Sequence, residues 1–216
     1  MYIAVPITAR TLTQAINDTQ EAIERGADIV EFRIDFLRDL NPAVLEELLA
    51  SCPIPKIVTN RHKSEASDTS CAGFTGSEEE RIFYLRRAIV LGAEYIDIEA
   101  GYVQQMNRRK TKLIVSYVNF HGTPQNLERL YESILVSNNA DVVKIAAKAD
   151  TNDDVHRMVR MIEHTHTPII GICTGKLGRT TRLHPGNYLT YACLDHARAS
   201  APGQYTIEEV KDLLQR

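Results

Sequence analysis

Lys144 stands in Asp141-Val-Val-Lys-Ile-Ala146, a run otherwise made mostly of small apolar residues. Burial disfavours an ammonium, lowers the lysine pKa and supplies the neutral amine that attacks a carbonyl. The plainer alternative is a lysine that only neutralises a nearby carboxylate. Other charges recur at a spacing of two: Glu31 and Arg33 in Asp28-Ile-Val-Glu-Phe-Arg-Ile-Asp35, and Asp97 and Glu99 in Tyr95-Ile-Asp-Ile-Glu99. In a strand such residues share one face, with Val30, Phe32 and Ile34 on the other. A third apolar run ends at Asn60-Arg61. Mixed charges converging from neighbouring strands make the expected setting for an anionic substrate and perturbed pKa values. The chemistry these residues suggest is Schiff-base catalysis on a small oxo-acid.

Positioning them requires strands whose C-terminal ends meet. Strand candidates are Tyr2–Ile7, Asp28–Ile34, Lys56–Asn60, Glu94–Ile98, Lys112–Tyr117, Val142–Ala146, Pro168–Cys173 and Tyr188–Cys193. Their near-continuous Val/Ile content suits a parallel sheet buried on both faces. Helix signals lie between them: Thr11 with Gln14, Ser77 with Glu80 and Thr206 with Glu209 read as capping boxes, Asn41-Pro42 as N-cap and N1, and Gly26 as a helix stop. The Glu78–Glu80 run needs no ligand, because acidic residues in a first turn complement the helix dipole. Strict alternation of eight strands with helices predicts an α/β fold, a compact single-domain (β/α)8 TIM barrel over residues 1–216, with a doubly wound open sheet as competitor. Barrels usually take ~250 residues, so this length predicts short loops and an incomplete last helix or two. The one long polar stretch, His62–Gly76, reads as a loop after the third strand.

Several function classes fall away. With 25 Lys+Arg against 28 Asp+Glu the net charge is −3 and no basic block stands out, which argues against nucleic acid. No apolar run reaches the ~20 residues of a membrane span, and the N-terminus MYIAVPITAR lacks a secretory pattern. Cys52, Cys71, Cys173 and Cys193 are scattered without a CxxC pair, as in a cytoplasmic protein with reduced thiols. His164-Thr-His166, the nearest approach to a metal pair, falls at the N-terminal end of a strand, the stability face of a barrel, so no metal is expected. Gly171-Ile-Cys-Thr-Gly-Lys-Leu is one residue short of a P-loop, and Leu177 replaces its hydroxyl. That turn instead presents Arg182 for bidentate capture of a carboxylate. Ala199-Ser-Ala-Pro-Gly-Gln204 offers Ser200 and Gln204 as neutral hydrogen-bonding groups for a polyol, or is simply the turn before the last helix.

Taken in order, E-F-R-I-D, Arg61-x-x-x-Glu65, Y-I-D-I-E, S-Y-x-N-F-x-G-T-P, V-K-I-A, G-x-x-G-x-x-T-R and S-A-P-G-Q resemble type I 3-dehydroquinate dehydratase over essentially the whole chain. The resemblance implies a (β/α)8 barrel, commonly a homodimer, that dehydrates 3-dehydroquinate to 3-dehydroshikimate in the shikimate pathway without cofactor or metal. By position it implies that Lys144 forms the imine and that Glu31 lies near the reacting centre. Arg33 and Arg61 would contact substrate, Arg182 would clamp its carboxylate, and Ser200 and Gln204 would bind hydroxyl and carboxylate groups. Glu65 and Asp97 would tune the site.

One position departs from the pattern. The family opens the segment after its fifth strand with a proton-shuttling histidine in S-[YN]-H-[DN]-F, whereas this chain reads Ser116-Tyr-Val-Asn-Phe-His121. Valine at 118 neither takes nor gives a proton, which implies impaired turnover with the lysine pocket intact. The substitution is accounted for by an engineered change, by an activity lost or altered in nature, or by His121 taking over the role. An odd offset and the turn at Gly122-Thr-Pro124 place His121 on the other face. Two further functions share the lysine: a class I aldolase type of barrel, and a binder of 3-dehydroquinate-like acids that turns nothing over. Because general acid–base help is worth roughly 10²–10⁴-fold, Val118→His should raise dehydration measurably as new enone absorbance. An unchanged rate would show that the histidine is not the limiting loss.

Overall fold

β-Branched residues dominate the strands, and all eight expected strands form: β1 (Tyr2–Ile7), β2 (Ile29–Arg33), β3 (Lys56–Thr59), β4 (Tyr95–Glu99), β5 (Lys112–Asn119), β6 (Val142–Lys148), β7 (Ile169–Thr174) and β8 (Leu189–Cys193). A two-residue β9 (Tyr205–Thr206) is added beside β8. The computed structural model describes residues 1–65 and 73–215. Cys71 and the middle of the His62–Gly76 stretch therefore lie outside the described residues. β5 and β6 run further than their sequence patterns suggest. Val118 is consequently a strand residue in register with Ala146, not the first residue of a loop.

Every strand pair is parallel, in the order β7-β6-β5-β4-β3-β2-β1-β8-β9. The sheet curls until β7 meets the approach to β8. There a single bridge, Ile169–Asn187, replaces a ladder. The Asn187 side chain completes the seam: its Oδ1 accepts from Gly171 N at 2.7 Å, and its Nδ2 donates to Gly171 O at 3.3 Å and Thr181 O at 2.9 Å. A side-chain amide thus supplies the donor and acceptor that a neighbouring strand would have offered.

Two apolar layers follow from strand alternation. Outward residues such as Val30, Phe32, Val58, Ile96 and Val143 pack against the helices. Inward residues, including Ala4, Ile29, Ile57, Tyr95, Ile114, Val142, Ile170 and Leu189, form a separate interior cluster to which all eight strands contribute. An open doubly wound sheet has no such interior, so the barrel reading holds.

The helices are α1 (Leu12–Glu24), α2 (Pro42–Ala50), α3 (Glu78–Val90), α4 (Leu127–Asn138), α5 (Asn152–His164) and α6 (Ile207–Leu214). The caps at Asn41, Ser77 and Thr206 form as expected, and Gly26 takes φ +87° after α1. At Thr11 the box is only half made, because Gln14 Oε1 accepts from Arg10 N. Thr151 with Asp154 makes a further box. The shortening forced by length falls after β4 and β7, where 3-10 turns at Ala100–Gln105 and Arg179–Leu183 replace helices, rather than at the chain's end. Cys52, Cys173 and Cys193 are buried free thiols. Among the described residues, no helix is long and apolar enough to cross a membrane.

Candidate active site

The inward positions change character along the strands. Above the apolar plug, β2 presents Glu31 and Arg33, β3 Thr59, β4 Asp97 and Glu99, β5 Ser116 and Val118, β6 Lys144, and β8 Tyr191, all at the C-terminal half of the barrel. A small cleft, partly open to solvent, sits there. Glu31, Arg33, Arg61, Glu65, Val118, Lys144, Arg182, Ser200 and Gln204 all line it. His121 does not. It is exposed beyond the end of β5, with its N–H donated to Asn119 Oδ1.

Lys144 is buried, but its surroundings differ from the apolar setting that its sequence neighbours suggest. Its Nζ lies 2.6 Å from Asp97 Oδ2 and 3.8 Å from Glu31 Oε1, and donates to the Tyr191 hydroxyl at 3.2 Å. The apolar neighbours along β6 belong to one strand, whereas the partners come from β2, β4 and β8. Asp97 is bonded on several sides, with Arg61 Nη2 at 2.9 Å and Ser116 Oγ at 2.7 Å. Burial alone would raise its pKa, but the charges of Arg61 and Lys144 outweigh that and hold the carboxyl well below the usual range.

Arg61 is placed by two carboxylates, Asp97 and Glu99, the latter at 3.2 Å. Glu99 is itself fixed by fully buried Arg81 at 2.8 Å and by His62 N at 3.0 Å. Glu65 is held more loosely, 3.5 Å from Arg61 Nη1, with its side chain 21% exposed. Burial pushes the Glu65 carboxyl up to about 7, against the pull of Arg61 and with the push of Glu99 and Asp97. Glu31 accepts from Thr59 Oγ1 at 2.7 Å, and Arg33 forms a bidentate pair with Asp35.

The far wall carries Arg182, which is 2% exposed. Its Nη2 donates to Pro202 O at 3.2 Å, its Nε has no partner, and no carboxylate pairs with it among the described residues. Burial lowers its pKa to about 10. Gly178 brings the Arg179–Leu183 turn inward; a Cβ there would come within 2.1 Å of Cys173 Cβ. Beside it, Ser200 N donates to Gln204 Oε1 at 2.7 Å and Gln204 Nε2 to Ser200 Oγ at 3.0 Å, so the two are mutually oriented.

Sequence reasoning missed Tyr191, Ser116 and Thr59. The alternation of Leu189, Tyr191 and Cys193 carries a signal for Tyr191, but an aromatic in an apolar strand reads first as core.

The family model described as Type I 3-dehydroquinase matches residues 3–216. This chain belongs to that family. It is 36% identical to the bifunctional 3-dehydroquinate dehydratase/shikimate dehydrogenase of Arabidopsis thaliana over 98% of its own length, and spans 36% of that longer protein. It is 32% identical to the 3-dehydroquinate dehydratase of Methanococcus maripaludis strain C5, covering 99% of this chain and 98% of that one. The crystal structure of the Aquifex aeolicus 3-dehydroquinate dehydratase superposes with a TM-score of 0.79 at 31% identity, over 100% of this chain and 98% of the other. Membership makes this a barrel of the 3-dehydroquinate dehydratase lineage.

In this chain the Asp97 carboxylate neutralises two buried cations at once. Asp97→Asn should cost about 3 kcal/mol, the scale of breaking a buried ion pair, read as a fall in Tm of roughly 6–12 °C for a chain of this size. Because the folded-state pKa is depressed, the wild-type contribution is present above the unfolded value of ~3.9 and is lost only as pH falls through the lower folded value. An unchanged Tm would show that Glu31 and Glu99 suffice as counter-charges.

Proposed function

We propose that this chain, acting as one barrel unit over residues 1–216, dehydrates 3-dehydroquinate to 3-dehydroshikimate through an imine on Lys144. The observation that carries this reading is the pairing, across one small cleft, of a buried amine with a buried guanidinium that has no counter-ion among the described residues. A ligand bearing a ketone and a carboxylate satisfies both. Arg182 receives the carboxylate, and folding has already stripped the water from its guanidinium. Ser200 and Gln204 offer donor and acceptor groups to hydroxyl and carboxylate oxygens. Arg33, Arg61 and Glu31 enclose the ring from the other side.

Lys144 Nζ bonds to the C3 ketone carbon, the carbonyl oxygen departs as water, and the resulting iminium acidifies the C2 protons. A base takes one C2 proton, the electron pair forms the C1–C2 double bond, and the C1 hydroxyl leaves with a proton as a second water. Hydrolysis of the iminium takes up one water, restores the C3 ketone and frees Lys144. Val118 contributes two methyl groups where the family resemblance places an imidazole, so turnover falls below that of a histidine-bearing relative. Glu65 supports the proton transfer that remains: it lines the cleft, is loosely held, and has a carboxyl poised at about 7, the range in which a general base works best.

Two measurements test this. Incubation with 3-dehydroquinate and borohydride should add the reduced substrate to Lys144 in the intact mass and the peptide map; an unmodified mass would rule out the imine. The base form of Glu65 is the carboxylate, so kcat should rise with pH through about 7, with Arg61, Lys144, Asp97 and Glu99 as the charged groups that set the midpoint. Glu65→Gln should remove that limb and lower kcat on the order of 10²-fold. A wild-type profile retained in the variant would assign the proton transfer elsewhere.

A further inference from the structure

Imine formation raises a proton problem at Lys144. An ammonium and a ketone become an iminium and water only when two of the three nitrogen protons reach the ketone oxygen. Val118 carries none. Asp97 is a fixed anion, bonded to Arg61, Ser116 and Lys144 and held well below the usual carboxylate range, so it is a poor acceptor. Glu31 is 3.8 Å from Nζ, and one of its oxygens accepts from Thr59. Glu65 lies on the Arg61 side of the cleft, 3.5 Å from Arg61 Nη1.

Among the described residues, the remaining neighbour is Tyr191. It projects inward from β8, is 4% exposed and lines the cleft. Its hydroxyl accepts a hydrogen bond from Lys144 Nζ at 3.2 Å, and its ring centroid lies 4.4 Å from the same nitrogen. A hydroxyl that accepts from one group has its own proton to give to another. When Nζ attacks a ketone, the ketone oxygen is bonded to the attacked carbon and comes within reach of a hydroxyl already bonded to Nζ.

We propose that the Tyr191 hydroxyl relays protons between the Lys144 nitrogen and the substrate's ketone oxygen as the imine forms and as it is hydrolysed. The proposal rests on the imine reading above. In the first relay the N–C bond forms, one nitrogen proton passes to the phenol oxygen, and the phenol proton passes to the ketone oxygen. The product is a carbinolamine protonated on nitrogen. In the second relay a further proton follows the same path, the C–O bond breaks, the nitrogen lone pair forms the C=N bond, and water leaves. Hydrolysis is the reverse. The charge stays at +1 throughout, and the phenol regains its proton each time. It never has to ionise, which accords with a phenol kept protonated by burial and by the charges of Glu31 and Asp97. The ring face beneath the nitrogen meets the same positive charge before and after condensation.

Rapid-quench borohydride trapping tests the relay. Tyr191→Phe keeps the ring and removes the hydroxyl. It should slow adduct accumulation on the order of 10²-fold, the scale of general acid–base help, while reaching the same final adduct mass with substrate affinity little changed. In the wild type, adduct formation should slow in deuterated water. An unchanged trapping rate in the variant would overturn the relay, and so would the absence of a solvent isotope effect in the wild type, which needs no variant to fold. No adduct in the wild type at any time would instead remove the imine reading, and the relay with it.

Discussion

The site depends on one carboxylate with two cations to satisfy. Asp97 lies 2.6 Å from Lys144 Nζ and 2.9 Å from Arg61 Nη2 in a region closed to water. Each cation alone would be costly to bury, and together they would repel one another. The anion between them makes the burial tolerable and fixes where both point. Its own orientation comes from Ser116, and Arg61 is steadied further by Glu99 and, behind that, Arg81. The network reaches from the barrel axis to the first turn of α3, where Arg81 also meets Glu78. The Lys144 amine is therefore located by a chain of charges that ends on a helix outside the barrel.

The barrel interior resolves two opposing demands by height. Its N-terminal half is filled by aliphatic residues and closed by the Tyr95–Tyr188 hydroxyl pair at 2.7 Å. Its C-terminal half holds charges that cancel locally. Stability is concentrated in the plug and chemistry above it, as the fold's usual division of faces requires. Neither half could be exchanged for the other: apolar residues above would bind no acid, and charges below would lack the partners that neighbouring strands supply at Asp97 and Glu99.

Much of this was legible in sequence because period-two alternation is a local property. Glu31 with Arg33, and Asp97 with Glu99, face inward as their spacing dictates, and all eight strands were found. What escaped depends on residues distant along the chain. The small apolar neighbours of Lys144 on β6 gave no sign that Asp97, Glu31 and Tyr191 would surround its amine. Tyr191 resembled core because its hydroxyl acquires meaning only when β8 closes beside β1. The extent of β5, which makes Val118 a strand residue, is set by pairing with β6 rather than by its own composition. The seam at Asn187 and the absent helices after β4 and β7 are likewise results of closure, which no local window contains.

Arg182 shows what an unmet charge does for selectivity. Its guanidinium has lost most of its water and, among the described residues, gained one carbonyl in return. A ligand that brings a negative group supplies what is missing, whereas an uncharged analogue of the same shape leaves the deficit in place. Discrimination of this kind comes from a penalty on the wrong guest rather than an extra reward for the right one, and penalties of unpaired buried polar groups discriminate more sharply than hydrophobic fit. A preference of this kind is built in as the chain folds, by the burial of Arg182 itself.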